Sequence, residues 1–351
     1  MLLGGNAAGP RVVLTSMSNL RPAPRIPVRS WTFRLLPLAL SCALTGCSKD
    51  PAAPTGGGEL LIAFGSIRPP SVLTESDIYF YHLNAPGPAT MPPNLDTPYS
   101  EHVPALSGNG EWLAYNTDNT SFLGFPPQIL LYHVPTAKVV IPTAPFPYTS
   151  PFNPSLSWDG HYMAFQTQLG GLFLIDVVLV DVAADSVIPT PRLHAYGAAD
   201  FDPALSGDGK LIAFTTTRDG SYDIALYSVP GDSLIPLPGI NTAYDDIAVS
   251  ISRDGRLLAF ESNRPGGVGG FDVYVYDRAS SSFLPLPGAN TPLGESLPAL
   301  SPDGRYLAYQ TEAEGGGDIR LYDIVLQQLV PVPGLNDPYY PDRQPSLAQL
   351  P

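Results

Sequence analysis

The chain has 351 residues, 18 Lys+Arg against 32 Asp+Glu, and a formal net charge of −14. Its 41 prolines and 33 glycines exclude a helix bundle or coiled coil, which need long runs free of breakers. An apolar fraction of 44% excludes a disordered chain, and the surplus of carboxylates argues against nucleic acid as a partner. What is left is an all-β protein with many turns and enough length for a large core.

Residues 1–46 carry five arginines (Arg11, Arg21, Arg25, Arg29, Arg34) and no acidic residue, and the apolar run Leu35–Leu44 follows the last of them. That run is too short to span a bilayer but suits a signal-peptide core. It leads into Leu44-Thr45-Gly46-Cys47, which resembles the lipobox of bacterial lipoproteins. The resemblance implies cleavage before Cys47 and acylation of that cysteine; the plainer alternative is a chance Cys behind an ordinary signal peptide. The first 16 residues are unlike a signal n-region, so Met17 is a candidate start. Cleavage leaves 305 residues with 13 basic and 32 acidic side chains, a net charge near −19. It also discards Cys42, so the mature chain forms no disulfide and relies on packing. Residues 47–58, the acylated Cys and Ser48–Gly58, read as a flexible tether. Ser48 after the acylated cysteine implies the outer membrane under the sorting rule of enteric bacteria.

From residue 59 onward one pattern recurs. Its copies begin at Ala105, Ser155, Ala204, Ser250 and Ala299, spaced 50, 49, 46 and 49 residues apart, as in Ala204-Leu-Ser-Gly-Asp-Gly-Lys-Leu-Ile-Ala-Phe214. A period of this length signals a propeller or solenoid. Each copy reads as four short strands. Strand a is the Ala-Leu-Ser piece, a tight Asp-Gly or Asn-Gly hairpin follows, and strand b is the Leu-Ile-Ala-Phe piece. Strand c is clearest as Asp272-Val-Tyr-Val-Tyr276, and strand d is a proline-studded run such as Leu234-Ile-Pro-Leu-Pro238, outermost because proline belongs on edges. The repeat region opens with a strand b, Glu59–Phe64, and closes with a strand a, Gln344–Ala348. The last strand therefore completes the first blade, and the ring has six four-stranded antiparallel blades over residues 59–351.

The Pro-x-x-Ser-x-Asp-Gly, Ile-Ala-Phe and Asp-Ile-x-x-Tyr-Asp elements resemble the PD40 (WD40-like) repeat of TolB-type six-bladed propellers. The resemblance implies an envelope protein that binds other proteins. TolB-type proteins carry an α/β domain ahead of the propeller, and here eleven tether residues stand in its place.

Because strands alternate in direction, the b–c and d–a loops emerge on one face. Three residues before the proline (or Val249) of each strand a stand Glu101, Pro151, Asp200, Asp246, Glu295 and Asp342. The five carboxylates among them are expected to ring the channel mouth, where they would draw in a basic peptide segment or cations; the plainer reading is that they cap turns. A second column opens strand c: Asp77, Gln128, Asp176, Asp223, Asp272 and Asp318. Arg68, Arg218, Arg264 and Arg343 dilute this acidic face, while His161, Lys210, Arg256 and Arg305 balance the turns of the other. Tyr99, Tyr148, Tyr196, Tyr244, Tyr339 and Tyr340 fall in d–a loops and suit a protein- or sugar-binding surface.

Catalytic signatures are sparse. There is no Gly-x-Ser-x-Gly elbow, no metal-ligand spacing among His82, His102, His133, His161 and His194, no phosphate-binding glycine loop and no Asp-x-Asp-x-Asp-Gly calcium loop. His82 and His133 end strand c, and His102 adjoins the inner column. The expectation is a non-catalytic, monomeric scaffold without cofactor or metal, lipid-anchored on the envelope and binding envelope proteins through one face. The alternatives are a propeller enzyme of the polysaccharide lyase or lactonase type, and a carbohydrate-binding lipoprotein.

Overall fold

Each Ser-x-Asp-Gly or Ser-x-Asn-Gly signature has a local cause. In the turn at 206–211 the Ser206 hydroxyl donates to Asp208 at 2.8 Å and accepts the Leu211 amide at 3.0 Å. The same pair of bonds holds the turns at Ser107, Ser157, Ser252 and Ser301. The glycines that follow, such as Gly209 at φ 67°, occupy the left-handed region that a tight hairpin requires.

A computed structural model describes residues 58–69, 75–118, 128–142, 149–168, 175–194, 197–312 and 317–351. Blade 1 contains β1 (Leu60–Ser66) and β2 (Asp77–His82). Blade 2 is β3 (Glu101–Leu106), β4 (Trp112–Thr117), β5 (Gln128–His133) and β6 (Lys138–Val140). Blade 3 is β7 (Thr149–Leu156), β8 (Tyr162–Gln168), β9 (Ile175–Asp181) and β10 (Ser186–Ile188). Blade 4 is β11 (Asp200–Leu205), β12 (Leu211–Thr216), β13 (Asp223–Ser228) and β14 (Ser233–Leu234). Blade 5 is β15 (Asp246–Ile251), β16 (Leu257–Ser262), β17 (Asp272–Asp277) and β18 (Ser282–Phe283). Blade 6 is β19 (Glu295–Leu300), β20 (Tyr306–Thr311), β21 (Asp318–Asp323) and β22 (Gln328–Val330), after which β23 (Asp342–Gln349) returns to blade 1. Every sheet is antiparallel, and β23 pairs with β1 from Leu60↔Gln349 to Ser66↔Asp342. The C-terminal strand thus closes a six-bladed ring, as the repeat count predicts.

Strand d departs from expectation. It is only two or three residues long and ends before the prolines, for example at Leu234 and Phe283, because proline brings no N–H to the ladder. In blade 1 it shrinks to the single bridge Phe80↔Thr90 beside a three-stranded sheet.

Six apolar clusters lie one at each seam between neighbouring blades; Phe260 and Tyr276 of blade 5, for instance, pack with Leu226 and Ile224 of blade 4. Each strand a also breaks register, at one place in five blades and at two in blade 3. There Val103, Asn153, Asp202, Ala248, Leu297 and Gln344 take φ between 49° and 56°. These bulges leave amides off the ladder, and four are taken up by side chains. Asp202 N–H donates to Gln166, Ala248 to Thr215, Leu297 to Glu261 and Val103 to Gln344, at 2.7–3.2 Å.

Candidate functional site: the b–c and d–a loop face

The d–a loops of blades 4, 5 and 6 share a sequence and a geometry. After Gly239, Gly288 and Gly334 come Ile240, Ala289 and Leu335, each fully buried as a plug under its loop. The next residue is an asparagine that clips strand c. Asn241 accepts the Ile224 amide and donates to its carbonyl, both at 2.9 Å, and Asn290 and Asn336 do the same to Val273 and Ile319. Thr242 and Thr291 then cap the carboxylate that opens the following strand a, through both amide and hydroxyl.

That carboxylate column is not open to solvent. Glu101, Asp200, Asp246, Glu295 and Asp342 are all buried, and it is the next residue along each strand, such as Phe201 or Ile247, that is partly exposed. The pleat turns the first side chain into the seam and the second toward the mouth. Three of the five are held by arginines that stand two residues beyond strand b. Arg264 binds Asp246 at 2.5 Å and the Ile240 carbonyl at 2.8 Å. Arg218 holds Asp200 and the Leu193 carbonyl, and Arg68 holds Asp342 and the Leu335 carbonyl. Their guanidinium groups lie over Phe260 and Tyr274, Phe214, and Phe64 and Tyr79. These arginines therefore do not dilute a surface field, as the sequence alone suggests; they are spent inside the seams. Glu101 and Glu295 instead accept the hydroxyls of Thr97 and Thr291, as Asp246 also does from Thr242.

The two acidic columns are one set of pairs. Burial, with a smaller contribution from Asp77 of the preceding blade, pushes Glu101 up to about 8. Burial likewise raises Asp200, Asp223 and Glu295, with added repulsion from Asp176, Asp246 and Asp272 respectively. Four strand-c aspartates, Asp77, Asp176, Asp223 and Asp272, thus face the strand-a carboxylate of the next blade. The seam between blades 2 and 3 lacks both members, having Gln128 and Pro151 instead. The backbone follows the same rule: the Glu101, Asp246, Glu295 and Asp342 amides donate to Ser76, Tyr222, Phe271 and Gly317 of the preceding blade at 2.7–3.0 Å, a bond Pro151 cannot make.

Around the channel, His102 and Phe152 touch at 5.6 Å between ring centroids, and burial lowers the pKa of His102. Phe201 meets Tyr222 edge-on at 5.6 Å. Burial raises Asp202 to about 6 and Glu261 to about 7, Asp202 adding to the latter. Between the strands a runs a cavity of about 200 Å³ lined by their Pro, Ala and Leu residues, ending at Trp158 and Arg253, which stack at 3.7 Å. Among the described residues no group of three or more His, Cys, Asp or Glu is placed to hold a metal ion.

Of the tyrosines expected on this face, Tyr244 and Tyr339 are exposed and Tyr99 and Tyr340 half-buried; Tyr148, Tyr196 and Cys47 lie outside the described residues. His82 pairs with Glu59 at 2.7 Å and His133 with Thr136 at 2.7 Å, both at blade edges. Sequence reasoning passed over Leu293, which occupies the loop position of Tyr244 and Tyr339, four residues after the buried plug. Counting from the plug would have found it.

Fold and face together define a six-bladed β-propeller with one stapled loop face. No protein-family model matches the sequence, and no curated protein is similar to it. Solved structures do match. TolB from Acinetobacter baumannii is 21% identical with a TM-score of 0.62, over 83% of this chain and 66% of that one, just under two thirds. Hydrazine synthase from Kuenenia stuttgartiensis is 15% identical with a TM-score of 0.60, over 84% of this chain and 47% of that one. A chain of a nidogen/laminin complex is 11% identical with a TM-score of 0.58, over 83% of this chain and 98% of that one. The fold is that of the TolB-type propeller, and proteins of unlike roles share it.

Proposed function

We propose that this chain is a lipid-anchored protein of the bacterial envelope that binds other proteins, without catalysis, through its b–c and d–a loop face. The observation that carries this reading is the repeated loop design. A buried plug, an asparagine clip and a capped carboxylate fix the d–a loops of blades 4, 5 and 6, and an exposed apolar side chain stands on each of them. Rigid loops with exposed aromatic tips bind with little ordering cost. Glu101, Asp200, Asp246, Glu295 and Asp342 serve the surface by fixing its loops. In this reading residues 1–46 are a lipoprotein signal, Cys47 carries the lipid, 47–58 tether the propeller of 59–351, and the outer membrane is the destination.

Two measurements test it. Mass spectrometry of the protein from envelope fractions should find diacylated Cys47 at the N-terminus, and Cys47→Ala should release the protein from membranes. In pull-downs from solubilised envelope, bound proteins should be lost with Tyr244→Ser/Tyr339→Ser and kept with Val325→Ser/Leu326→Ser on the opposite face. Equal capture by both variants would overturn the choice of face, and turnover of a polysaccharide or lactone would overturn the non-catalytic reading.

A further inference from the structure

Among the described residues, five well-exposed apolar side chains stand together on the loop face. Tyr222, Tyr244, Val268, Leu293 and Tyr339 are 44, 47, 58, 46 and 81% exposed, and all five stand on loops of blades 4 to 6. The loops form one continuous arc. The Tyr222 carbonyl takes the amide of Asp246, two residues from Tyr244. The Asp245 amide donates to Asn263 at the end of β16 at 2.9 Å. Gly269, beside Val268, lies so close to the Leu293 and Thr291 carbonyls that a Cβ would stand 2.0 Å from the first. The Glu312 amide then bonds Gly294 at 2.9 Å, and Asp342 bonds Gly317 at 3.0 Å, carrying the arc to Tyr339.

The charge in the arc is mostly negative, with Arg343 at the start of β23 an exposed exception. Asp219, Asp245, Glu312 and Asp337 lie outside the buried seams on these loops, while Arg218 and Arg264 are held in ion pairs with Asp200 and Asp246. A group of exposed apolar residues rimmed by carboxylates is costly to leave bare and complements one kind of partner. A second copy of this chain, at net charge −14, brings like charge, as does an anionic lipid surface.

Building on the scaffold reading above, we infer that the arc over blades 4 to 6 is a docking site for a basic, apolar-containing segment of another protein, whose aliphatic or aromatic side chains sit among Tyr244, Leu293 and Tyr339 and whose Lys or Arg residues face the four carboxylates.

A library of random short peptides displayed on phage, selected on the full-length protein in detergent, tests this. The expected result is enrichment of positively charged peptides containing Trp, Phe or Leu. Their affinity should fall about tenfold or more on Tyr244→Ser/Leu293→Ser/Tyr339→Ser, as for loss of central apolar anchors. It should fall, and lose its salt dependence, on Asp219→Asn/Asp245→Asn/Glu312→Gln/Asp337→Asn. Every substituted residue is a loop residue outside the core, and unchanged melting temperatures would show that the variants fold. Peptides that bind but ignore both variants overturn the arc while leaving a scaffold that binds elsewhere. Acidic or uncharged peptides that respond to the first variant overturn the basic partner. A selection that enriches nothing overturns the arc and the scaffold reading together.

Discussion

Arg264 shows how single residues hold this face in place. Its guanidinium joins a fully buried carboxylate, a loop carbonyl and the faces of three aromatic rings, so five pieces of chain depend on one side chain. Removing it strands Asp246 in a desolvated seam, and leaving one partner of a buried pair uncompensated typically costs about 3–5 kcal/mol. Arg264→Met should therefore lower stability by about that amount in urea unfolding, with part recovered in Arg264→Met/Asp246→Leu; a loss below about 1 kcal/mol would mean the pair is solvated. Glu101 behaves in the opposite sense. It keeps its proton to about pH 8 in the folded protein against an ordinary value of 4.5. Between those values the unfolded chain binds fewer protons than the folded one, so this group's contribution is fully present below about pH 4.5 and is lost as pH rises toward 8. Glu101→Gln keeps the acceptor for Thr97 and removes the titration. Its stability relative to the unsubstituted protein should rise steadily from pH 5 to pH 8, by at most about 1.4 kcal/mol per unit. A difference that stays constant across that range would overturn the assignment.

At the scale of elements, the Ser-x-Asp-Gly turns do a second task through their variable residue. Gly108, Trp158, Gly207, Arg253, Pro302 and Gln349 alternate small and large around one end of the channel, so that Trp158 leans over Gly108 and Arg253 over Gly207. A Cβ on Gly207 would come within 2.4 Å of Arg253 Cγ. Gly207→Val should displace Arg253 from Trp158, shift the tryptophan emission and cost about 1–3 kcal/mol as overpacking; an unshifted spectrum would show that the ring can adjust. Strands a, b and c are legible in the sequence because their turns need Asn-Gly or Asp-Gly and their apolar runs recur in register. The extent of strand d is not, since the prolines that mark its place also terminate it. The seams escape a reading by columns for another reason. Whether Asp246 faces the channel or the neighbouring blade depends on the bulge at Ala248, and nothing in the composition of that position, occupied in turn by Val, Asn, Asp, Ala, Leu and Gln, marks it. The coincidence of Gln128 with Pro151 is visible in the sequence, but its meaning appears only when strand c of one blade meets strand a of the next.

For the whole molecule, closure is the point on which cooperativity turns. Around the turn end of the channel, blade is tied to blade by backbone bonds of 2.9 Å: Trp158 to Gly207, Gly207 to Arg253, Arg253 to Pro302, Gln349 to Gly108 and Asn109 to Trp158. One link in this chain is missing. Pro302 has no amide to pass the series from blade 6 to blade 1, and there the side chain of Gln349 reaches Asp303 instead, at 3.3 Å. The weakest seam of this belt thus borders the blade in which the ring closes without a covalent link, and β23 must hold that blade by its pairing with β1, by the buried Leu347 and Ala348, and by the Asp342–Arg68 pair. Deleting Asp342–Pro351 removes all three at once. It opens β1 along one edge and leaves Arg68 without its carboxylate. Total stabilities of about 5–15 kcal/mol do not survive such a loss, so the shortened chain should show no cooperative melt. A synthetic peptide of residues 342–351 binds only the folded ring, and added in excess it should restore the transition with a midpoint that climbs with peptide concentration. The restored protein should also regain the Trp158 emission, because the Gln349–Gly108 bond and the Trp158 stack belong to the same belt. A truncated chain that melts cooperatively at the temperature of the intact one would show that the seams between blades 1 to 6 suffice, and that the C-terminal strand is an ornament on a ring already closed.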